Sequence, residues 1–279
     1  YNDPVATLTQ AYALCEDGRG DTVYILSDGS TTATVRDVAL TWAKDNCHIV
    51  GLCAPGINRR ARIAPPSSDA ADVDAYTPYL TLSASGCTIM NVSWFQGQTE
   101  DSKASVGILV SGSRNYFWGV DIITGAAANQ GDEVCYNLQI TGSENVFEQC
   151  YIGQDTASRG NNAASANVRF GAGGGEQATR NVFRDCIFPC FADDTEPTFI
   201  TATTAADTQR WNLFKGCTFI NTGTSTLDAG VKWADTTGKL YLQDCAFDGI
   251  TDIEAAATGY VKMYGLSAAV TGAADVGHF

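Results

Sequence analysis

"NVFEQCYI" (residues 145–152), "NVFRDCIF" (181–188) and "NLFKGCTF" (212–219) are one phrase written three times. Each runs Asn, apolar, Phe, two polar or small residues, Cys, any residue, apolar. Aligned on Cys150, the phrase extends to Cys186, Cys217 and Cys245 down the chain, and to Val120, Val92 and Leu52 up it. From Leu52 onward the steps are 40, 28, 30, 36, 31 and 28 residues. A period of about 20–50 residues is the mark of a solenoid whose loops absorb the insertions.

Three apolar columns follow from the alignment. Ile49, Ile89, Phe117, Phe147, Phe183, Phe214 and Leu242 stand three residues before the Cys column. Ala54, Trp94, Ile122, Ile152, Phe188, Phe219 and Phe247 stand two residues after it. The step of two is strand alternation. The step of three requires a bend, with one residue that cannot continue the alternation. Strand, bend, strand, once per repeat, predicts an all-β chain: a single-stranded right-handed parallel β-helix of about seven coils. Asn115, Asn145, Asn181 and Asn212 form a further column. Amides stacked about 4.8 Å apart can hydrogen-bond along the stack, and in the same column Cys47 and Cys87 stand nearer the N-terminus.

At the N-terminus, Asp3 is a good N-cap, Pro4 suits the first helical turn, and Val5, Leu8, Tyr12 and Cys15 share a helical face. This predicts a capping helix from Asp3 to Glu16. The chain thus divides into a cap and turn (1–19), the β-helix (20–260), and a last segment (261–279) that is a C-terminal cap or an oligomer contact. Arg19-Gly20-Asp21, known from adhesion ligands, reads as the turn into the first strand.

With 44 % hydrophobic residues among 279, the chain can bury a core. Its formal charge of −14 repels phosphate backbones and anionic lipid, so neither nucleic acid nor membrane is an expected partner. No apolar run approaches the ~18 residues of a membrane span. The chain opens on Tyr1 without a signal peptide, which leaves secretion open. Ten cysteines over so long a chain, without CxxC spacing and with two histidines, argue against zinc and a disulfide framework. Cys150, Cys186, Cys217 and Cys245 are expected to be inward, stacked and reduced. Whether Cys47 and Cys87 are bridged stays open. No cofactor and no metal are expected.

The repeat resembles the pectate-lyase-like β-helix superfamily. "GDTVYILSDG…VALTWAKDNCHIVGLCAPGINRRARI" (20–63) resembles, more specifically, a module of tailed-bacteriophage virion proteins. The matching pieces are Gly20-Asp21-Thr22, Ile49-Val50-Gly51 and Gly56-Ile57-Asn58-Arg59, with Arg60 and the many cysteines as departures. The resemblance is clearest over the first hundred residues or so. It implies a non-enzymatic virion component: a capsid decoration protein, homotrimeric, exposed on the particle surface, seated on the major capsid protein or another virion protein and assembled in the host cytoplasm.

The alternative is a tailspike that binds or degrades host polysaccharide. A glycosidase needs two carboxylates at defined separation, and a lyase needs a carboxylate cluster for Ca²⁺ and a base. Candidates are Asp121, the pair Asp132 and Glu133, and the pair Asp193 and Asp194. The Asn-Thr-Asp, Gly-His-Gly and Arg-Ile-Lys elements in which polygalacturonase-type enzymes resemble one another are absent. The outward neighbours of Asp121 are Ser93, Tyr151, Ile187, Thr218 and Ala246, a nearly uncharged face. Each acidic pair therefore reads first as solvated loop. Glycan or partner contact without chemistry falls to Trp118 and Tyr151, outward by alternation, and to Trp211 and Trp233 in or near loops.

Overall fold

A computed structural model describes residues 4–27, 35–66, 76–97, 104–124, 133–160, 162–173, 178–256 and 259–270. Every strand pairing in it is parallel and joins neighbouring coils. Nine strands form the first sheet, from Thr22–Leu26 to Val261–Tyr264. A second sheet of sixteen strands has two arms. One arm runs from Val35–Arg36 to Thr218–Asn221, the other from Leu40–Trp42 to Leu227–Trp233. The long strand Ala246–Glu254 pairs with the last strand of each arm and joins them. This is a right-handed parallel β-helix. No helix of the described residues is long and apolar enough to cross a membrane.

The bend in each phrase has one backbone cause. Asn91, Gly119, Gln149, Asp185, Gly216 and Asp244, each just before the Cys column, adopt φ between 52° and 64°. A single left-handed residue turns the chain between the first sheet and the second without lengthening it. Glycine, Asn and Asp bear that conformation at least cost, and they hold five of these six places.

Inside the bend the rings stack. Phe117, Phe147, Phe183 and Phe214 lie 4.5, 4.6 and 4.2 Å apart in sequence. Phe188, Phe219 and Phe247 form a second stack at 4.6 and 4.4 Å. Cys150, Cys186, Cys217 and Cys245 are buried between the stacks, and all ten cysteines carry free thiols. Each of three Sγ atoms meets a carbonyl of the previous coil: Cys150 that of Phe117, Cys186 that of Phe147, and Cys245 that of Phe214. Burial pushes the Cys186 thiol well above its ordinary range, which leaves it protonated and inert.

The asparagines form a continuous ladder. Each Oδ1 accepts the main-chain N–H of the previous rung, from Cys87 on Asn115 (2.8 Å) through Asn145 on Asn181 (3.0 Å) to Asn181 on Asn212 (3.0 Å). Each Nδ2 donates to a carbonyl of the preceding coil, Asn181 to Gly142 at 3.1 Å. Replacing Asn181 with Ala leaves the buried Asn145 N–H and amide without their acceptor, at about 1–3 kcal/mol each. Denaturant unfolding of Asn181→Ala is expected to show at least about 2 kcal/mol lost; a loss below about 0.5 kcal/mol, the range of neutral surface substitutions, would refute the ladder's energetic role.

Two sequence expectations are corrected at the N-terminal end. The helix is Leu8–Leu14, and its N-cap is Thr7. Gln10 at the third position accepts the Thr7 N–H in return, closing a capping box; residues 4–6 precede it without helix, and Asp3 lies outside the described residues. Leu8 and Tyr12 still plug the coil, Tyr12 against Trp42 at 4.9 Å. Arg19 and Asp21 pair with each other at 2.6 Å, so the adhesion-like tripeptide is a closed turn.

The second correction concerns the first coil. Leu52 is half exposed and Ala54 is exposed. Strand His48–Leu52 runs straight against Thr22–Leu26 without the bend, so Gly51 faces inward and Leu52 outward. A Cβ on Gly51 would fall 2.1 Å from the Asn91 carbonyl oxygen. Ala61 and Ile63, beyond an inserted loop, fill the two core places instead. At the other end, Val261–Tyr264 and Ser267–Val270 pair as further strands; residues 271–279 lie outside the described residues.

Candidate functional site on the outer face of the first sheet

The residue after each ring of the Phe column points outward. Parallel register stacks these residues into one row along the first sheet. It starts with Tyr24, Val50, Met90 and Trp118, continues with Glu148, Arg184 and Lys215, and ends with Gln243 and Tyr264. The first part is apolar and aromatic, the middle is charged, and Tyr264 closes the row beside Tyr241 with rings parallel at 9°.

The charged middle is the chemically able part. Tyr116 lies two residues before Trp118 on the same strand, on the same outward face. Its hydroxyl donates to Glu148 Oε2 at 3.1 Å. Burial first, and the Glu148 carboxylate second, raise the Tyr116 phenol above its ordinary value, so the proton stays on oxygen. Arg184 and Lys215, exposed on the next two coils, make no ion pair among the described residues. A half-buried carboxylate thus stands between an indole and two uncommitted cations, with a phenol proton on it.

The acidic candidates read from the sequence are elsewhere. Asp121 is fully buried. Its carboxylate accepts the Arg59 N–H at 2.7 Å and pairs with the Arg59 guanidinium, whose Nε reaches Asn91 Oδ1 at 3.2 Å. Asn91 in turn donates to the Gly51 and Cys53 carbonyls. The cluster locks the inserted loop onto the bend. Burial pushes the Asp121 carboxyl up to about 6 against the pull of Arg59. Ser93 and Tyr151, its neighbours in register, bring no second carboxylate onto those strands.

Asp132 lies outside the described residues. Glu133 is half-buried, and its carbonyl accepts from Ser165 Oγ. Asp194 caps its own turn, accepting from the Thr195 N–H at 2.6 Å, while Asp193 is exposed. Among the aromatics, Tyr151 and Trp233 are buried, Trp233 against Phe170 at 5.7 Å, which removes both as partner contacts. Trp118 and Trp211 are accessible, Trp211 at 37 %.

Comparison with models of known protein families finds no match, and no curated protein sequence matches the chain. Solved structures do share the fold. Pectin methylesterase PemA from Erwinia chrysanthemi superposes with a TM-score of 0.62 at 12 % identity, over 98 % of this chain and 88 % of that one. Pectin methylesterase from Yersinia enterocolitica gives 0.60 at 12 %, over 98 % and 93 %. A pectin methylesterase in complex with a hexasaccharide gives 0.60 at 12 %, over 97 % and 87 %.

These likenesses show the fold: a right-handed parallel β-helix of the kind that pectin methylesterases share. They overturn the expectation of a non-enzymatic capsid decoration protein. That expectation rested on a resemblance over about a hundred residues, whereas nearly the whole chain superposes on enzymes. The face beside the Cys column is nearly uncharged, as read from the sequence, and the charged row lies one bend before it.

Proposed function

We propose that the chain is a carbohydrate esterase that acts on an extended polysaccharide laid along the outer face of the first sheet. One observation carries this reading: the row Trp118, Glu148, Arg184 and Lys215, with the Tyr116 hydroxyl on Glu148. It is supported by the fold shared with pectin methylesterases.

An aromatic ring beside polar groups is what a sugar needs, an apolar face to cover and hydroxyls to bond. The ester carbonyl would sit over Glu148. The carboxylate takes a proton from water as the water oxygen bonds to the carbonyl carbon. Protonated Glu148 no longer needs the Tyr116 proton, so the phenol, with the Arg184 guanidinium, donates to the developing oxyanion. The carbon–oxygen bond to the alcohol then breaks, and the alcohol leaves with the proton held by Glu148. Ester and water become acid and alcohol.

Binding tests the platform independently of chemistry. Trp118→Ala is expected to weaken retention on an esterified polyuronate, followed by affinity electrophoresis, by roughly tenfold, or about 1.4 kcal/mol. Trp233→Phe, a buried change, should not alter it. Equal retention by wild type and Trp118→Ala across esterified, de-esterified and neutral polysaccharides would exclude this face.

A further inference from the structure

Three elements meet at the N-terminal end of the solenoid, and each brings a metal-ligating atom. Cys15 caps the helix C-terminus, Asp21 precedes the first strand, and Cys47 precedes strand His48–Leu52. Their Sγ and carboxylate oxygen atoms all lie within 4.8 Å of one another. Cys47 is fully buried, Cys15 nearly so, and Asp21 is half-buried. We propose that Cys15, Cys47 and Asp21 form a binding site for one thiophilic divalent cation of the zinc class.

The donor set fits. Two atoms bound to one tetrahedral zinc, at about 2.3 Å for sulfur and 2.0–2.2 Å for oxygen, stand roughly 3.5 Å apart, so a small side-chain shift closes the site. Two thiolates and a carboxylate select zinc or cadmium over calcium or magnesium. Charge balances as well. The three ligands bring −3 and the ion +2, and two cations border the site. Lys44 Nζ donates to the Cys15 carbonyl at 2.6 Å, and Arg19 holds Asp21. Arg19 also bonds Glu16, so it keeps a partner when Asp21 turns one oxygen to the ion. Asp21 accepts the Glu16 N–H through Oδ2 and the Arg19 Nε–H through Oδ1 at 2.8 Å, and a carboxylate oxygen that accepts one such bond keeps a second lone pair for the ion. Three protein ligands leave one position for water. Binding would release the two thiol protons and tie the capping helix to the first two coils.

The test uses the whole chain, freed of metal and reduced, titrated with cadmium while the ultraviolet thiolate-to-metal band is followed. One cadmium per chain is expected, displaceable by zinc. Cys15→Ser and Cys47→Ser should each weaken binding more than about 100-fold, and Asp21→Asn by roughly 10–100-fold. Cys53→Ser, at a half-buried thiol away from the site, should change nothing. In the wild type, zinc should shield Cys15 and Cys47 from alkylation, read by peptide mass mapping; this holds the test open if the serine variants misfold. No stoichiometric binding, binding that survives both serine changes, or a Cys15–Cys47 disulfide as the stable state of the purified chain would each overturn the proposal.

Discussion

Glu148→Gln is expected to lower kcat for ester hydrolysis by roughly 10²–10⁴-fold, the range lost with a positioned general base, with little change in KM. The amide keeps the shape and still accepts the Tyr116 hydrogen bond, so the fold and the platform survive. What it loses is a site for the proton of the attacking water. Tyr116→Phe should act on the same step through the oxyanion and cost less, because Arg184 remains. Trp118→Ala should behave oppositely, raising KM and leaving kcat nearly intact. Alcohol release from a methyl-esterified polyuronate, followed at several substrate concentrations, separates these patterns. Undiminished turnover by Glu148→Gln would remove the row from the chemistry.

Asp121→Ala is expected to destabilise the fold by about 3–5 kcal/mol, since it strands the buried Arg59 guanidinium and the Arg59 N–H that the carboxylate accepts. The same carboxyl makes stability depend on pH in an uncommon direction. Its folded pKa of about 6 stands above the unfolded value near 3.9. Between those values the folded chain keeps a proton that the unfolded chain has released. The contribution of Asp121 is therefore fully present below about pH 4 and is lost as pH rises through 6, by roughly 3 kcal/mol in all. Asp121→Asn has no proton to lose. Its urea midpoint, plotted against that of the wild type from pH 4 to 6, should run flat where the wild type falls. Parallel curves would show that Asp121 does not titrate in this window.

The solenoid was legible because its core writes one letter per coil. Phe147, Phe183 and Phe214 recur in the sequence at the spacing with which they stack in space, and the step from Phe to Cys announced a bend. What could not be read were places where a coil breaks its own rule. Leu52 aligns with the Cys column, but Gly51 lets the strand run straight and turns Leu52 outward. Nothing local marks Ala61 as the replacement; it sits where a Cβ on Gly51 would fall 2.7 Å from its own Cβ, a closeness only the folded chain shows. The capping helix is legible from its apolar face, but its start at Leu8 rests on the Thr7–Gln10 capping box, a quieter signal in the sequence than Asp-Pro.

The candidate site was missed although it lay inside the opening phrase. Glu148, Arg184 and Lys215 occupy the fourth letter of "NVFEQCYI", "NVFRDCIF" and "NLFKGCTF". The letters that repeat carry the core, while this one varies. A variable letter between two fixed columns faces solvent, and parallel register brings its successive values side by side. Asp121 drew attention as the lone acid on a bland face. The loop of Arg59, distant in sequence, buries it.

The left-handed residue at every bend separates inheritance of shape from freedom of surface. Phe, the turning residue and Cys carry the architecture of a coil, and the letter after Phe carries none of it. That letter can be rewritten coil by coil without disturbing the stack beneath. Because coils follow one another in space as in sequence, the outward row is a linear script of one character per strand spacing, about 4.8 Å. A polymer lying along it meets the characters in order. Adding or removing one coil would shift every later character by one place, so the same folded rod could present a new sequence of chemistry to the chain it holds.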